Sequence, residues 1–98
     1  MREFLRGAVQ LHILHHAAEG EIHGAWMSRE LAQHGYDISP GTLYPTLHRL
    51  EAEGLLRSRD TVEDGHTRRA YKITPEGRKV LRRTRKALRE LADEVLDG

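Results

Sequence analysis

The central stretch of the chain, residues 39–56, reads SPGTLYPTLHRLEAEGLL. It carries signals for the start and the end of one helix. The hydroxyl of Ser39 can accept a hydrogen bond from a free N–H of the first helical turn, and Pro40 suits the first helical position, where its missing N–H would be unpaired in any case. Gly54 favours the left-handed conformation that ends a helix. These signals predict a helix over residues 40–53, about four turns long.

This helix has two distinct faces. Leu43, Leu47 and Leu50 recur at intervals of four and three, so they form one stripe that faces a core. The opposite arc carries small, aromatic and basic side chains. Its residues are Gly41, Thr42, Tyr44, Pro45, His48 and Arg49. Pro45 forfeits a backbone hydrogen bond inside the helix, and a local rule broken in this way often marks a functional site.

The same residues resemble a known family. The sequence GTLYP at 41–45, continued by LHRLEAEGL at 47–55, is similar to the recognition helix of the PadR family of bacterial transcriptional regulators. The similarity extends upstream to Ile22-His23-Gly24 and downstream to RRAYKITPEG at 68–77. It implies a dimeric regulator, usually a repressor, that releases operator DNA when an unknown effector binds. It also implies the short branch of the family, with a single C-terminal helix.

Candidate DNA-binding residues lie on the central helix and on the segment that follows it. The resemblance assigns DNA contact to Thr42, Tyr44, Pro45, Arg49, Arg68, Arg69 and Lys72. Ser39, Gly41 and His48 complete the predicted set, because they lie at the start or on the exposed arc of the helix. Double-stranded DNA is therefore the predicted partner.

The rest of the chain supplies the other elements of a DNA-binding domain. Patterning predicts helices over residues 2–19 and 25–34, with a single-residue strand pairing at Ile22 between them. It predicts strands over 55–60 and 67–73 around Asp64-Gly65, a dipeptide typical of tight hairpins. Thr74-Pro75 then begins a helix that runs to about Leu96. This order predicts a mainly α (α+β) fold, a winged helix-turn-helix with a wing at residues 57–72. The predicted domains are a DNA-binding unit, 1–74, and a dimerisation helix, 75–98.

The last helix carries an apolar stripe at coiled-coil spacing. Its positions alternate by three and four residues and are Leu81, Thr84, Leu88, Leu91 and Val95. A chain of 98 residues has little other core to cover such a stripe. We therefore expect a homodimer formed through this helix, with help from the first helix.

Composition narrows the function further. The chain has no cysteine, and its formal net charge of +1 does not by itself indicate a polyanionic partner. No apolar run approaches the 18 or so residues of a membrane span, which predicts a cytoplasmic protein without membrane contact. The sequence contains neither a glycine-rich phosphate loop nor a nucleophile elbow, so we predict no enzyme activity and no cofactor.

Two other interpretations stay open. A winged helix can serve as a protein-interaction module, although an apolar or acidic outward arc would fit that role better than the arc of residues 41–49. Alternatively, His12, His15 and His16 of the first helix could make the protein a metal or pH sensor. No metal site is assigned, because no carboxylate is adjacent to these histidines in the sequence. Trp26 is expected to cover the core or to line an effector pocket.

Overall fold

The computed structural model describes residues 1–97, which form four helices and three strands. The elements are α1 (Arg2–Glu19), β1 (Ile22–His23), α2 (Gly24–Gln33), α3 (Pro40–Ala52), β2 (Leu56–Glu63), β3 (His66–Ile73) and α4 (Pro75–Asp97). The strands make one antiparallel sheet in the order β1-β3-β2. The architecture confirms the predicted winged helix-turn-helix. Gly98, the end of the predicted C-terminal segment, lies outside the described residues.

The predicted elements differ from the observed ones only at their ends. The bounds of α1 agree, α2 begins one residue early, and α3 ends at Ala52. Both hairpin strands are longer than expected, because pairing continues to Glu63 opposite His66. The turn residues Asp64 and Gly65 have φ angles of 51° and 78°. Positive values at both positions are what a two-residue type I′ turn requires, so the Asp-Gly prediction is confirmed.

The core lies between the helices and one face of the sheet. Leu43, Leu47 and Leu50 of α3 are all buried, as their spacing predicted. They belong to the same cluster as Ile13 of α1 and Tyr71 of β3. Burying a leucine is favourable by about 1.5–3 kcal/mol, so the stripe fixes the rotation of α3 about its axis.

The start of α3 differs in detail from the prediction. Ser39 is the N-cap residue, with extended backbone, but among residues 1–97 its side chain caps no backbone N–H. Its hydroxyl instead donates to Oγ1 of Thr42 at 3.3 Å. The backbone carbonyl of Ser39 accepts the first bonds of the helix, from the N–H groups of Thr42 and Leu43. Ser39 therefore defines the helix start through its backbone rather than through its hydroxyl.

Thr74 ties the start of α4 to the end of α3. Its hydroxyl accepts a hydrogen bond from the Gly77 N–H at 3.0 Å and donates to the Gly54 carbonyl. Its own N–H donates to the Leu55 carbonyl at 3.1 Å. Gly77 packs so closely that a Cβ there would collide with the Leu55 carbonyl. The first turn of α4 is thereby held on the segment that links α3 to the wing.

The long helix α4 is buried only near its beginning. Leu81 lies in the core of the chain, so the predicted segments 1–74 and 75–98 share packing up to this residue. Further along, Leu88, Leu91 and Val95 are 47%, 53% and 67% exposed. None of the helices within residues 1–97 combines the length and the apolar character needed to cross a bilayer.

We expect Gly77→Ala to destabilise the fold by about 1–3 kcal/mol, because the added methyl group meets a backbone carbonyl that cannot rotate away. Gly7→Ala in α1 is the matched control, since a Cβ at Gly7 meets nothing within 4 Å. That control should gain about 0.5–1 kcal/mol from the better helix propensity of alanine. Urea unfolding of both variants measures the difference, and equal stabilities would contradict the packing described for Gly77.

Candidate nucleic-acid interface

The arc of α3 opposite the leucine stripe faces solvent. All of the predicted contact residues on it are exposed, namely Gly41, Thr42, Tyr44, Pro45, His48 and Arg49, and Ser39 at the helix start is exposed as well. The structure divides this arc between two depressions. Tyr44 and His48 face the wing, whereas Thr42, Pro45 and Arg49 face the beginning of α1.

The depression beside the wing is a cleft of about 380 Å³. It brings Tyr44 and His48 of α3 together with Arg68 and Arg69 of β3. The buried phenol of Tyr71 also lines it, and burial raises the pKa of this phenol, which keeps it uncharged. Four of the predicted DNA-binding residues thus share one concave surface.

Gly24 allows Tyr44 to take its position in this cleft. A Cβ on Gly24 would lie 2.5 Å from a ring carbon of Tyr44 and 2.8 Å from its hydroxyl oxygen. Because real side chains do not approach so closely, only glycine at this position leaves room for the ring. The His23-Gly24 motif and the Tyr44-Pro45 motif, 20 residues apart in sequence, are therefore parts of one contact.

The depression on the other flank is a groove of about 660 Å³ between α3 and the start of α1. Arg2 and Arg6 of α1 line it together with Arg49. The Arg49 guanidinium donates to Glu53 at 3.1 Å and to Oε1 of Gln10 at 3.0 Å. An exposed ion pair contributes only about 0–1 kcal/mol to stability, so a phosphate or a base could replace the present partners of Arg49.

The cations of the wing differ in their surroundings. Arg69 lies 3.7 Å from Asp60, and among residues 1–97 Arg68 forms no ion pair. Arg59 is held by two short hydrogen bonds to Glu21, of 2.6 and 2.7 Å, and these bonds lower the pKa of the Glu21 carboxyl. Arg68 and Arg69 are the wing cations that line the cleft beside α3.

Lys72 lies apart from the other predicted contact residues. It pairs with Arg57 across the hairpin, next to Tyr71, whose side chain is buried. Successive side chains of a strand point to opposite faces, so Lys72 and Arg68 are both on the face opposite Tyr71. Lys72 is, however, four residues nearer to the base of the wing than Arg68. The structure does not bring Lys72 to the cleft that contains Tyr44.

A carboxylate of α3 connects this helix to the base of the wing. Oε2 of Glu51 accepts hydrogen bonds from the Ser58 hydroxyl at 2.6 Å and from the Ser58 N–H at 2.9 Å. The Ser58 side-chain bond is the main reason why the pKa of Glu51 is lowered. The charged form of Glu51 thus favours the folded arrangement, and this contribution is lost as the pH falls through the lowered pKa.

The histidines of α1 lie where α1 meets α2, and His16 shares a depression with Arg68 of the wing. The rings of His12 and His34 are 5.1 Å apart between centroids, and His16 contacts Trp26 edge-on at 5.2 Å. Burial is the main cause that lowers the pKa of His12, with the neighbouring histidines adding to the effect. Trp26 is 39% exposed and lines a shallow pocket, rather than lying in the core.

The structure also reveals carboxylates beside these histidines, which sequence reasoning missed. Glu19 lies one turn after His15 and His16 on α1, and Glu30 approaches His16 from α2. The spacing of Glu19 from His15, four residues, was a signal that could have found it. Glu30 is 14 residues away from His16 and only becomes a neighbour when α1 and α2 pack together.

The fold and the exposed basic surface define a class, the winged-helix DNA-binding regulators, in which one helix and an adjacent hairpin face the duplex. The sequence pattern of the "Transcriptional regulator PadR-like family" matches residues 13–83. The chain belongs to the PadR family and is a transcriptional regulator.

Relatives and solved structures agree with this assignment. "Transcriptional regulator Rv3488" of Mycobacterium tuberculosis is 65% identical over 98 residues, which cover 100% of this chain and 92% of that protein. A PadR family regulator from Eggerthella lenta superposes with a TM-score of 0.84 at 35% identity, covering 97% of this chain and 84% of the other. A transcriptional regulator from Clostridium thermocellum gives a TM-score of 0.82 at 32% identity, with 97% and 95% covered. These proteins are regulators, not enzymes.

We expect Gly24→Ala to weaken DNA binding while leaving the protein folded, because the methyl group displaces the Tyr44 ring from the cleft. Tyr44→Ala should weaken binding to a similar extent, and the double variant should be little worse than either single one, since both changes remove the same contact. Gly20→Ala is the control, because a Cβ at Gly20 meets nothing within 4 Å. Fluorescence anisotropy with labelled DNA measures the affinities. Independent, additive losses would show that Gly24 does not act through Tyr44.

Proposed function

We propose that this PadR family protein is a sequence-specific repressor that binds a palindromic operator as a homodimer. In this proposal α3 enters the major groove and the wing contacts the adjacent phosphate backbone. The observation that carries it is the shared concave surface of Tyr44, His48, Arg68 and Arg69 between α3 and the hairpin. The proposed location is the cytoplasm, where the protein has access to chromosomal DNA.

The residues on the two flanks of α3 suggest different roles in DNA binding. Thr42 and Arg49 are exposed along the helix, where they would face base edges, and the arginine fork suits the O6 and N7 atoms of guanine. Arg68 and Arg69 lie on a hairpin that projects beside the helix, where phosphates would follow. Ser39 and Gly41 are at the start of α3, and exposed N–H groups there favour an anion. Lys72, at the base of the wing and outside the cleft, is the predicted residue least suited to direct contact.

Dimerisation through α4 is part of the proposal. The helix has 23 residues, or about 35 Å, and its second half carries Leu88, Leu91 and Val95 as a largely exposed stripe. Leu88 also lines an apolar groove of about 370 Å³ together with Ala8 and Leu11 of α1. Leu81 is buried within the chain, and Thr84 donates its hydroxyl to the Val80 carbonyl at 2.8 Å. The seam between two copies would thus begin after Thr84.

Effector control is also proposed, in keeping with the family. The groove between α1 and α3 has apolar walls that include Leu5, Val9 and Ile38, with Arg6 and Arg49 at its edge. A small anionic molecule bound there would cover Arg49 and compete with DNA. A role as a protein-interaction module is less well supported, because the exposed arc of α3 is neither acidic nor broadly apolar.

The central test selects bound sequences from a random DNA pool, and we expect a palindrome with two half-sites. On the selected DNA, Arg49→Ala should relax sequence preference and cost about 1–3 kcal/mol per half-site if Arg49 pairs with a guanine. Arg68→Ala should weaken all sequences alike and lower the salt slope by about two units per dimer. Arg57→Ala is the matched control, since this wing cation pairs with Lys72 at the base of the wing and does not line the cleft beside Tyr44.

Recovery of no common sequence from the pool would contradict sequence-specific binding. An Arg57→Ala variant that weakens binding as much as Arg68→Ala would instead show that the contact surface includes the base of the wing.

The dimer has its own test. Leu88→Asp places a charge in the seam without a partner, and we expect it to convert the dimer into monomers at micromolar concentration. Lys86→Asp is the control, because Lys86 is exposed and lies outside the stripe, two residues before Leu88. Sedimentation velocity distinguishes the two species. If Leu88→Asp remains a dimer as tight as the parent, the interface lies elsewhere.

A further inference from the structure

We propose that His15, His16 and Glu19 form a binding site for a divalent transition-metal ion such as zinc. Within residues 1–97 they form a group of three side chains whose ligand atoms all lie within 4.8 Å of one another. The group is on the last turn of α1, away from the surface of α3. The inference rests on the geometry of the protein alone and does not depend on the proposed DNA-binding function.

Helix geometry brings the three ligands to one place. Glu19 follows His15 by four residues and His16 by three, so all three side chains project from adjoining turns of α1. Oε1 of Glu19 lies 3.3 Å from Nδ1 of His16, and its Oε2 lies 3.9 Å from Nε2 of His15. Zinc bonds of about 2.0–2.1 Å at tetrahedral angles place ligand atoms roughly 3.3 Å apart. Small side-chain rotations would therefore suffice to close the site.

His16 has the supporting contact that a metal-ligating histidine usually has. Its Nε2 is 3.4 Å from Oε1 of Glu30, which is in turn 3.3 Å from Nε2 of His34. Ligation through Nδ1 leaves the proton of His16 on Nε2, the tautomer that donates to Glu30. A carboxylate in this position orients the ring and raises its basicity. Glu30 is thus a positioning residue, contributed by α2.

His15 connects the site to α4. Nη2 of Arg85 is 2.8 Å from Nδ1 of His15, and because arginine only donates, Nδ1 is the acceptor and the ring proton is on Nε2. A metal ion on Nε2 requires the proton on Nδ1 instead. Arg85 would then face an N–H group, so the ion and the Arg85 contact exclude each other. Occupancy of the site would release one contact between α1 and α4.

The chemistry of the three ligand atoms determines which metal ions the site would prefer. Two imidazole nitrogens and one carboxylate oxygen suit zinc, cobalt, nickel or copper, whereas magnesium and calcium prefer oxygen ligands alone. The chain has no cysteine, so a thiolate site is excluded. His15 and Glu19 are partly exposed, with side chains 43% and 64% accessible, which leaves a fourth position open to water.

The test is calorimetric titration of zinc chloride into the full chain without an affinity tag and without DNA. We expect one ion per chain, and no binding of magnesium chloride under the same conditions. His15→Gln and Glu19→Gln should each weaken zinc binding by at least about tenfold, and Glu30→Gln by about 10–100-fold. His66→Gln, at the exposed tip of the wing, is the control and should bind as the parent does.

The Arg85→Ala variant distinguishes zinc binding at this site from nonspecific zinc binding. Without the competing Arg85 contact, this variant should bind zinc more tightly than the parent. Circular dichroism melts of each variant without metal verify that the fold is intact. The proposal is overturned if the parent binds no zinc, if His15→Gln and Glu19→Gln bind it as the parent does, or if Arg85→Ala weakens binding. Because DNA is absent from the titration, none of these results bears on operator recognition.

Discussion

Burial of the leucine stripe of α3 is the constraint on which the orientation of its exposed arc depends. Leu43, Leu47 and Leu50 occupy the core, so the arc from Gly41 to Arg49 has to face outward. Turning the helix by one residue, about 100°, would expose leucines and bury polar groups without partners. The free-energy cost of that change far exceeds the cost of the irregular Pro45. The core thus tolerates a helix whose outer face is selected for contact rather than for helix stability.

Two polar contacts hold α3 in place relative to the wing and to α4. Glu51 holds the base of β2 through Ser58, and Thr74 joins the end of α3 to the start of α4. The Glu51 contact lies on the flank of α3 that faces the wing, where Glu51 is also near His48 and Arg69. The cleft between Tyr44 and Arg68 therefore has a fixed width in the free protein, and less conformational entropy is lost when a ligand fills it.

Much of the fold was predictable because its signals are local. Helix periodicity, the Asp-Gly turn and the Thr74-Pro75 start each depend on a few neighbouring residues, and they gave all the elements within two or three residues of their ends. The contacts that shape the site are long-range. Neither the approach of Tyr44 to Gly24 nor the pairing of Arg49 with Gln10 has a signal in the sequence around those residues.

The position of Lys72 shows how far strand alternation can go. Alternation puts Lys72 on the face opposite the buried Tyr71, and it puts Arg68 on that same face. What separates Lys72 from the cleft is its place at the base of the wing, and the packing of the wing beside α3 decides which part of the strand the cleft includes. For Ser39 the limit was different, since composition identifies a helix start but does not determine which atom accepts the hydrogen bonds.

The position of α1 explains how distant parts of the chain can influence one another. Gln10 contacts Arg49 of α3, His16 faces Glu30 of α2, and His15 contacts Arg85 of α4. One helix thus contacts Arg49 of the exposed arc, the histidine cluster and the helix proposed to join two copies. A shift of α1 relative to α4 at Arg85 would move Gln10 relative to Arg49 as well, because His15 and Gln10 are both on α1. Such a shift would therefore reach the exposed arc of α3 through α1 alone.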